Sequence, residues 1–530
     1  MILSSSNLYD MDHSIFELES FKPFSESLIW QLNRDFYQDT GIDAWSKSIV
    51  PHNMTSNSLV GKTYAELILG FLKDLASKGQ LNETVYILEL GAGHARLAFH
   101  IIKHLEALKT LLDVELPPYC YILSDIVSDN LNFFKNHRQL QTYFEQGILD
   151  YAYFDAIENT TIQLKHSNTQ IDVKDLNQPM IAIANYFFDS IPNDLFLVQN
   201  KTISTCSVAL KSSVNPKEAG AAELLKNINV SYQKTSLTDT FYPNKISNEI
   251  LEEYKNTLNE SYLFFPQKSF ECLNHLMSFS KKGLMVLSMD KGFHEIHDLD
   301  KKEEPEIITH GSFSLWVNYH ALGQFCKKKG GKALFPAFST FHSELACLLF
   351  LSENDSYQYT HAAYERFVNN FGPDDFNSIK KLTYRILPKL TLIELIAFLR
   401  LSAYDSTFFI KALPQLKSAS RRINFNQRKR LAENLHQVWN LFFDLNESYD
   451  LPYELGGFFY DLGFYQDALD YFQHAINASG LKDDIYYNQI LCYYQLRKDT
   501  LFYSTLKEAK EAFPNSTLFE SLDKLDMDAV

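Results

Sequence analysis

The sequence predicts an α/β protein: a doubly wound, Rossmann-like parallel sheet with an insertion, followed by an all-α C-terminal region of repeat-like helices. Three observations predict it. Short apolar runs alternate with helical periods from Val85 to Met289. A glycine turn, Gly91-Ala92-Gly93, stands directly between the first of these runs and a helix. Beyond Asp450, small residues recur at a fixed spacing among aromatic ones.

At 530 residues the chain exceeds one ordinary domain, which holds about 150 residues. Its 45% hydrophobic and 22% charged residues describe a chain with a sizeable core and exclude disordered or fibrous classes. The 65 acidic and 49 basic side chains leave a net charge of −16, which repels phosphate backbones, so nucleic acid is not an expected partner. Six cysteines (Cys120, Cys206, Cys272, Cys326, Cys347 and Cys492) lie far apart with no CxxC pair. Neither a metal site nor a disulfide framework is indicated, and a reducing compartment is expected. The start, MILSSSNLYDMDHSIF, lacks a basic region followed by an apolar stretch. No run approaches the ~18 apolar residues of a membrane span. The expectation is a cytoplasmic protein without membrane contact.

Residues 1–84 read as a mostly helical leader, with Ser56 or Asn57 placed to cap a helix whose apolar face carries Leu59, Tyr64, Leu67, Ile68 and Phe71. VYILEL from Val85 is the first strand, and ARLAFHIIKHL resumes a helical period after the turn. The alternation continues with strands at Tyr119–Ser124, Met180–Ala184 and Gly283–Met289, and with helices around Asn130–His137 and Ser269–Phe279. Strands alternating with helices build a parallel sheet covered on both faces. Residues 200–262 have poor periodicity and read as an insertion that interrupts the sheet without ending it. The sheet domain is expected over 85–345 and a helical connecting region over 346–445. In that region Thr391-x-x-Glu394 ahead of LIAFLRL is a capping box, and Leu431, Leu435, Val438, Trp439 and Phe442 share one helical stripe. Over 446–530, Leu455, Gly456, Phe459, Gly463, Ala468, Phe472 and Ala475 follow the spacing of a tetratricopeptide repeat, whose period is ~34 residues. A degenerate second copy follows. Because such arrays need ~3 units to bury a continuous core, the pair is expected to lean on the helices before it.

The turn Glu89-Leu90-Gly91-Ala92-Gly93-His94-Ala95 lets a ligand approach the backbone, since no Cβ stands in the way. A dinucleotide and S-adenosylmethionine compete for this reading. Arg96 falls where GxGxxG requires its last glycine, and the acidic Glu89 at the strand end suits a cationic sulfonium. Both details favour S-adenosylmethionine. Asp125, at the carboxyl end of the second strand, is placed to accept hydrogen bonds from ribose hydroxyls. Glu89, Gly91, Gly93 and Asp125 are thus the expected cofactor-binding set. A tight turn used for packing is the alternative.

Five ordered segments resemble the MidA family of class I methyltransferases, which includes a mitochondrial branch acting in complex I assembly. They are ILELGAGHARL, SDIVSDNL, IANYFFDSIP, VLSMDKG and SLWVNYHAL, and the resemblance spans Leu59 to Phe338. It implies methyl transfer from S-adenosylmethionine to a protein, with arginine the acceptor in the mitochondrial branch. The sequence departs from the family's segments at Ala95, at Tyr186, where the family has glutamate, and at Lys291, where it has tyrosine. With Tyr186 in that place, Asp189 alone remains to pair with a guanidinium.

Asp189 is the candidate to orient or deprotonate the acceptor, with helix capping as its alternative. Asn185, in a polar-x-x-aromatic segment, is a candidate to accept hydrogen bonds from an attacking nitrogen, or else an ordinary turn residue. Asp150, with Tyr151, is a candidate for the adenine contact after the third strand, or else a solvent-side acid. Tyr64 and Thr55-Ser56-Asn57 are candidates to cover the cofactor from above, or else to cap and pack. The expected partner is a protein substrate, with a further partner open for the C-terminal helices. The six basic residues of Lys417–Arg430 are a solvated face or a seat for an acidic partner. The rival reading is an inactive methyltransferase fold that works as an interaction module through its tail.

Overall fold

The computed structural model describes residues 15–237, 240–306, 309–338, 343–353 and 356–525. The leader-like start, residues 1–14, lies outside the described residues. The chain divides into two compact units, one ending at Asp375 and one beginning at Phe376.

The first unit is built on a seven-stranded sheet. Its strands are β1 (Val85–Leu90), β2 (Tyr119–Asp125), β3 (Leu149–Tyr153), β4 (Met180–Ile183), β5 (Gly283–Asp290), β6 (Lys332–Leu334) and β7 (Glu344–Leu351). Their spatial order is β6-β7-β5-β4-β1-β2-β3. The five strands from β3 to β5 run parallel, and β7 runs antiparallel to both β5 and β6. Every residue of β2 and β7 is buried, as expected of strands covered on both faces. The helices of this unit include α1 (Leu28–Thr40), α2 (Ser58–Ser77), α3 (Arg96–Lys109), α4 (Ser128–Asn136), α5 (Gln267–Phe279) and α6 (Tyr319–Lys328). Asn57 caps α2 by accepting from the Val60 N–H at 3.0 Å. Of the expected face, Tyr64, Leu67, Ile68 and Phe71 are fully buried and Leu59 is half-buried. Chain order reverses between β1 and β4, so a crevice opens at the carboxyl ends of these strands.

Three expectations require correction. Helical text does not begin at 346, because Glu344–Leu351 is β7. Its run LACLLFL is apolar throughout, and such a run fits a buried strand as well as a helix. The leader is not helical throughout, because Phe16–Pro23 is a strand. The insertion begins at Asp194 and folds into a second, antiparallel sheet. That sheet joins Phe16–Pro23, Thr202–Ser212, Asp194–Gln199 and Glu260–Phe265 in this spatial order, with Ile228–Ser236 also paired to Thr202–Ser212. Its apolar face (Leu195, Leu197, Val208, Leu210) packs with Ile29, Trp30, Leu32 and Phe36 of α1 in one core. The insertion therefore holds α1 in place, and α1 in turn borders the crevice.

The second unit is helical. Thr391 and Glu394 form the expected capping box on Leu392–Leu401. Helices Ser406–Ala419 and Phe425–Asn440 follow, then two helical hairpins: Leu451–Leu462 with Tyr465–Ser479, and Asp483–Gln495 with Asp499–Ala512. One buried cluster runs from Leu387 through Leu455 and Phe472 to Cys492, so the first hairpin and one face of Asp483–Gln495 share their core with the helices before them, while Ile490, Phe502, Leu506 and Ala509 of the second hairpin form a separate cluster. Gly456 lies at the closest approach of the first hairpin; a Cβ there would stand 2.6 Å from the Phe472 ring.

Candidate functional site

A cavity of about 420 Å³ occupies the crevice. Its floor comes from the ends of four parallel strands: Glu89–His94 after β1, Asp125–Val127 after β2, Phe154–Glu158 after β3 and Asn185–Phe187 after β4. The leader forms its roof, with Trp30, Asn33, Arg34 and Tyr37 of α1, then Trp45 and Val50–His52, Thr55 and Ser56. Ser190, Ile191, Pro192 and Lys268 complete the wall.

The glycine turn takes a form that side chains resist. Gly91 and Gly93 have φ of +61° and +57°, and a Cβ on Gly93 would meet Trp45 at 2.9 Å. Asp125 holds the turn from behind. Its Oδ2 accepts from the Gly93 N–H (2.9 Å) and the Asn130 Nδ2 (3.1 Å), and its Oδ1 from the Val127 N–H (2.9 Å). Burial raises this carboxyl's pKa and these donors lower it again. Glu89 is 5% exposed and accepts one hydrogen bond, from the Tyr121 hydroxyl at 2.9 Å. Burial, with Asp125 nearby, pushes Glu89 up to about 8. A cation entering the cavity would reverse that shift by favouring the carboxylate.

The donor set fits S-adenosylmethionine. Glu89 faces the space where a cationic sulfonium and amine require a counter-charge. The side-chain-free turn admits the chain of the ligand, and Asp125 lines the cavity beside it. Ile126, Val127, Phe154 and Ala156 supply apolar surface for a flat base.

Glu89, Gly91, Gly93 and Asp125 are thus brought together as the sequence implies, while the other four candidates are placed differently. Asp150 does not line the cavity, because β3 extends to Tyr153 and leaves Asp150 within the strand. Its carboxylate accepts from the N–H groups of Tyr151, His166 and Ser167 and closes a neighbouring turn. Tyr64 is fully buried behind the wall, where its hydroxyl donates to Asn185 Oδ1 at 2.5 Å. Asn185 does line the cavity, yet its Oδ1 also accepts from the Met289 N–H and its Nδ2 donates to the Thr55 carbonyl. That amide is a brace between the roof and β4 and β5, with its oxygen already engaged. Asp189 is 4% exposed and stands behind the wall rather than in it. It accepts from the Ser190 hydroxyl at 2.9 Å and lies within hydrogen-bond reach of Asp290.

Several site residues escaped the sequence. Asp155 follows β3 and pairs with Arg34 of α1 at 2.5 Å, tying roof to floor. The Asp-Ala step just past the strand, separated from Tyr153 by Phe154 alone, is the available signal, and it is obscured if the strand is ended before Asp150. Trp45 covers Gly93, stacks with Tyr37 (5.9 Å) and meets His94 edge-on (5.6 Å). His52 lies 4.9 Å from His94 and shares a 3.3 Å contact with the Arg96 guanidinium. Burial first, then Arg96, lowers His52 to about 4, so the ring is neutral.

Residues 65–303 match the model of a protein family described as "Putative S-adenosyl-L-methionine-dependent methyltransferase". Among solved structures, the chain is similar to a Burkholderia thailandensis protein crystallised with S-adenosyl-homocysteine. The two are 11% identical, with a TM-score of 0.41 over 64% of this chain and 90% of that one. It is also similar to a native protein of the same superfamily and organism, at 12% identity and a TM-score of 0.39 over 64% and 90%. An O-methyltransferase family protein from Burkholderia thailandensis follows at 7% identity and a TM-score of 0.28, covering 63% of this chain and 65% of that one. No curated protein matches.

Proposed function

We propose that the chain is an S-adenosylmethionine-dependent methyltransferase of class I architecture, acting on a nitrogen of a polypeptide. The observation that carries this reading is the convergence of Glu89, the Gly91–Gly93 turn and Asp125 on one cavity at the carboxyl ends of parallel strands. The match of residues 65–303 to the methyltransferase family model supports the same cofactor.

When bound, S-adenosylmethionine supplies an electrophilic methyl group. The protein's part is to position and to exclude water. Glu89 offsets the positive charge of the cofactor, Asp125 receives the ribose, and the roof residues Trp30, Tyr37 and Trp45 keep the cavity dry. Arginine as the acceptor rests on the family resemblance alone, and Tyr186 in place of glutamate removes a carboxylate suited to it. For the C-terminal hairpins we propose a tetratricopeptide-like role in presenting the polypeptide. Their support is the close packing of Gly456 on Phe472 at the spacing such repeats use. Incubation with labelled methyl donor and fractionated extract tests the reading. Label transferred to a protein, and stable to acid and base as an N-methyl group is, supports it; label on small molecules alone, or on none, overturns it.

A further inference from the structure

Behind the cavity wall the structure buries two carboxyl groups side by side, Asp189 and Asp290, at 4% and 1% exposure. Asp290 Oδ1 accepts from the Lys291 N–H at 2.7 Å, whereas its Oδ2 is buried with no donor among the described residues. Burial first, then the charge of Asp189, raises the Asp290 carboxyl, so ionising both groups out of water is disfavoured and the pair favours holding one proton. One side chain joins Asp189 to the cavity by a hydrogen bond. Ser190 lines the cavity, and its one hydroxyl proton has two acceptors in reach, Asp189 Oδ1 at 2.9 Å and the Tyr186 carbonyl at 3.0 Å.

We propose that Ser190 is the catalytic contact through which the buried Asp189/Asp290 pair takes the proton lost by the methyl acceptor. The inference rests on the methyltransferase reading and adds a base to it. As the acceptor nitrogen forms its bond to the methyl carbon, the carbon–sulfur bond breaks with its electrons left on sulfur. The departing N–H proton passes to Ser190 Oγ, which gives its own proton to Asp189 Oδ1. The pair goes from one proton to two and returns the extra one to solvent after product leaves. Asp189 and Asp290 act through Ser190 and are positioning residues.

The groups facing the pair are Tyr37, Tyr64, Tyr186, Tyr319 and Lys291. Burial raises both carboxyls, and Lys291 opposes the rise.

Infrared spectroscopy of the full-length protein tests the proposal without turnover. Above about pH 9, where Glu89 is ionised, the ligand-free protein should show a protonated carboxylic-acid band that shifts in D2O. Asp290→Asn should remove it while circular dichroism stays unchanged, whereas Asp189→Asn, which leaves Asp290 buried, should keep it. The amine analogue of S-adenosylmethionine, with C–NH2 in place of the methylsulfonium, should add a second acid band to wild type. It should add none to Ser190→Ala, and S-adenosylhomocysteine should add none to either protein. A missing first band, or an equal gain in Ser190→Ala, overturns the relay while leaving cofactor binding intact. If the first band is present but neither ligand binds, the methyltransferase reading falls and the relay with it.

Discussion

Glu89 shows how one buried side chain sets the pH response of the site. Held near 8 by burial, it is neutral at physiological pH in the free protein. A cationic cofactor favours the carboxylate, so binding expels a proton below that value. Affinity for S-adenosylmethionine should climb with a limiting slope of about tenfold per pH unit as pH rises toward 8, and level above it. Titration calorimetry across this range checks the slope, which Glu89→Gln should flatten. The stability sign is opposite. The folded state holds the proton more tightly than the unfolded chain, so Glu89's contribution is full at low pH and is lost as pH rises through about 8. Denaturant midpoints of wild type should therefore fall more steeply over that window than those of Glu89→Gln. At this scale the glycines, Glu89 and Asp125 were legible because a side-chain-free turn between strand and helix constrains what can lie beside it. Asp150 and Tyr64 were not legible. Whether a polar side chain faces a crevice or a neighbouring turn depends on where its strand ends and what packs behind it.

The roof elements make their own predictions. Trp45 covers the glycine turn and stacks with Tyr37, so Trp45→Ala should open the cavity and weaken cofactor binding about 10- to 100-fold, or ~1.4–2.8 kcal/mol. Equilibrium dialysis with labelled cofactor measures it, with unchanged circular dichroism as the control. In the helical unit, Gly456→Ala gains about 1 kcal/mol of helix propensity but drives a methyl to 2.6 Å from Phe472. Overpacking costs ~1–3 kcal/mol, so the net effect on urea unfolding should be destabilising. The sequence revealed the parallel strands through apolar runs followed by helical periods. It concealed β7, whose run lacks periodicity, and the second sheet, whose strand Phe16–Pro23 pairs with Thr202–Ser212 far along the chain. Long-range antiparallel pairing leaves no local period to read.

For the molecule as a whole, every residue lining the cavity belongs to the unit that ends at Asp375. A chain ending at Gly372 should bind S-adenosylhomocysteine within about threefold of the full protein, since no cavity contact is removed, which is under ~0.7 kcal/mol. It should lose transfer to a polypeptide acceptor if the helical unit presents that acceptor. Among the described residues no helix is long and apolar enough to cross a membrane. The central claim, that the cavity beneath Trp45 holds a sulfonium nucleoside, meets its most direct test in calorimetric titration with S-adenosylmethionine. One-to-one binding should be present in wild type, survive Asp150→Ala and vanish in Gly93→Arg. No binding in wild type, or undiminished binding in Gly93→Arg, would contradict it.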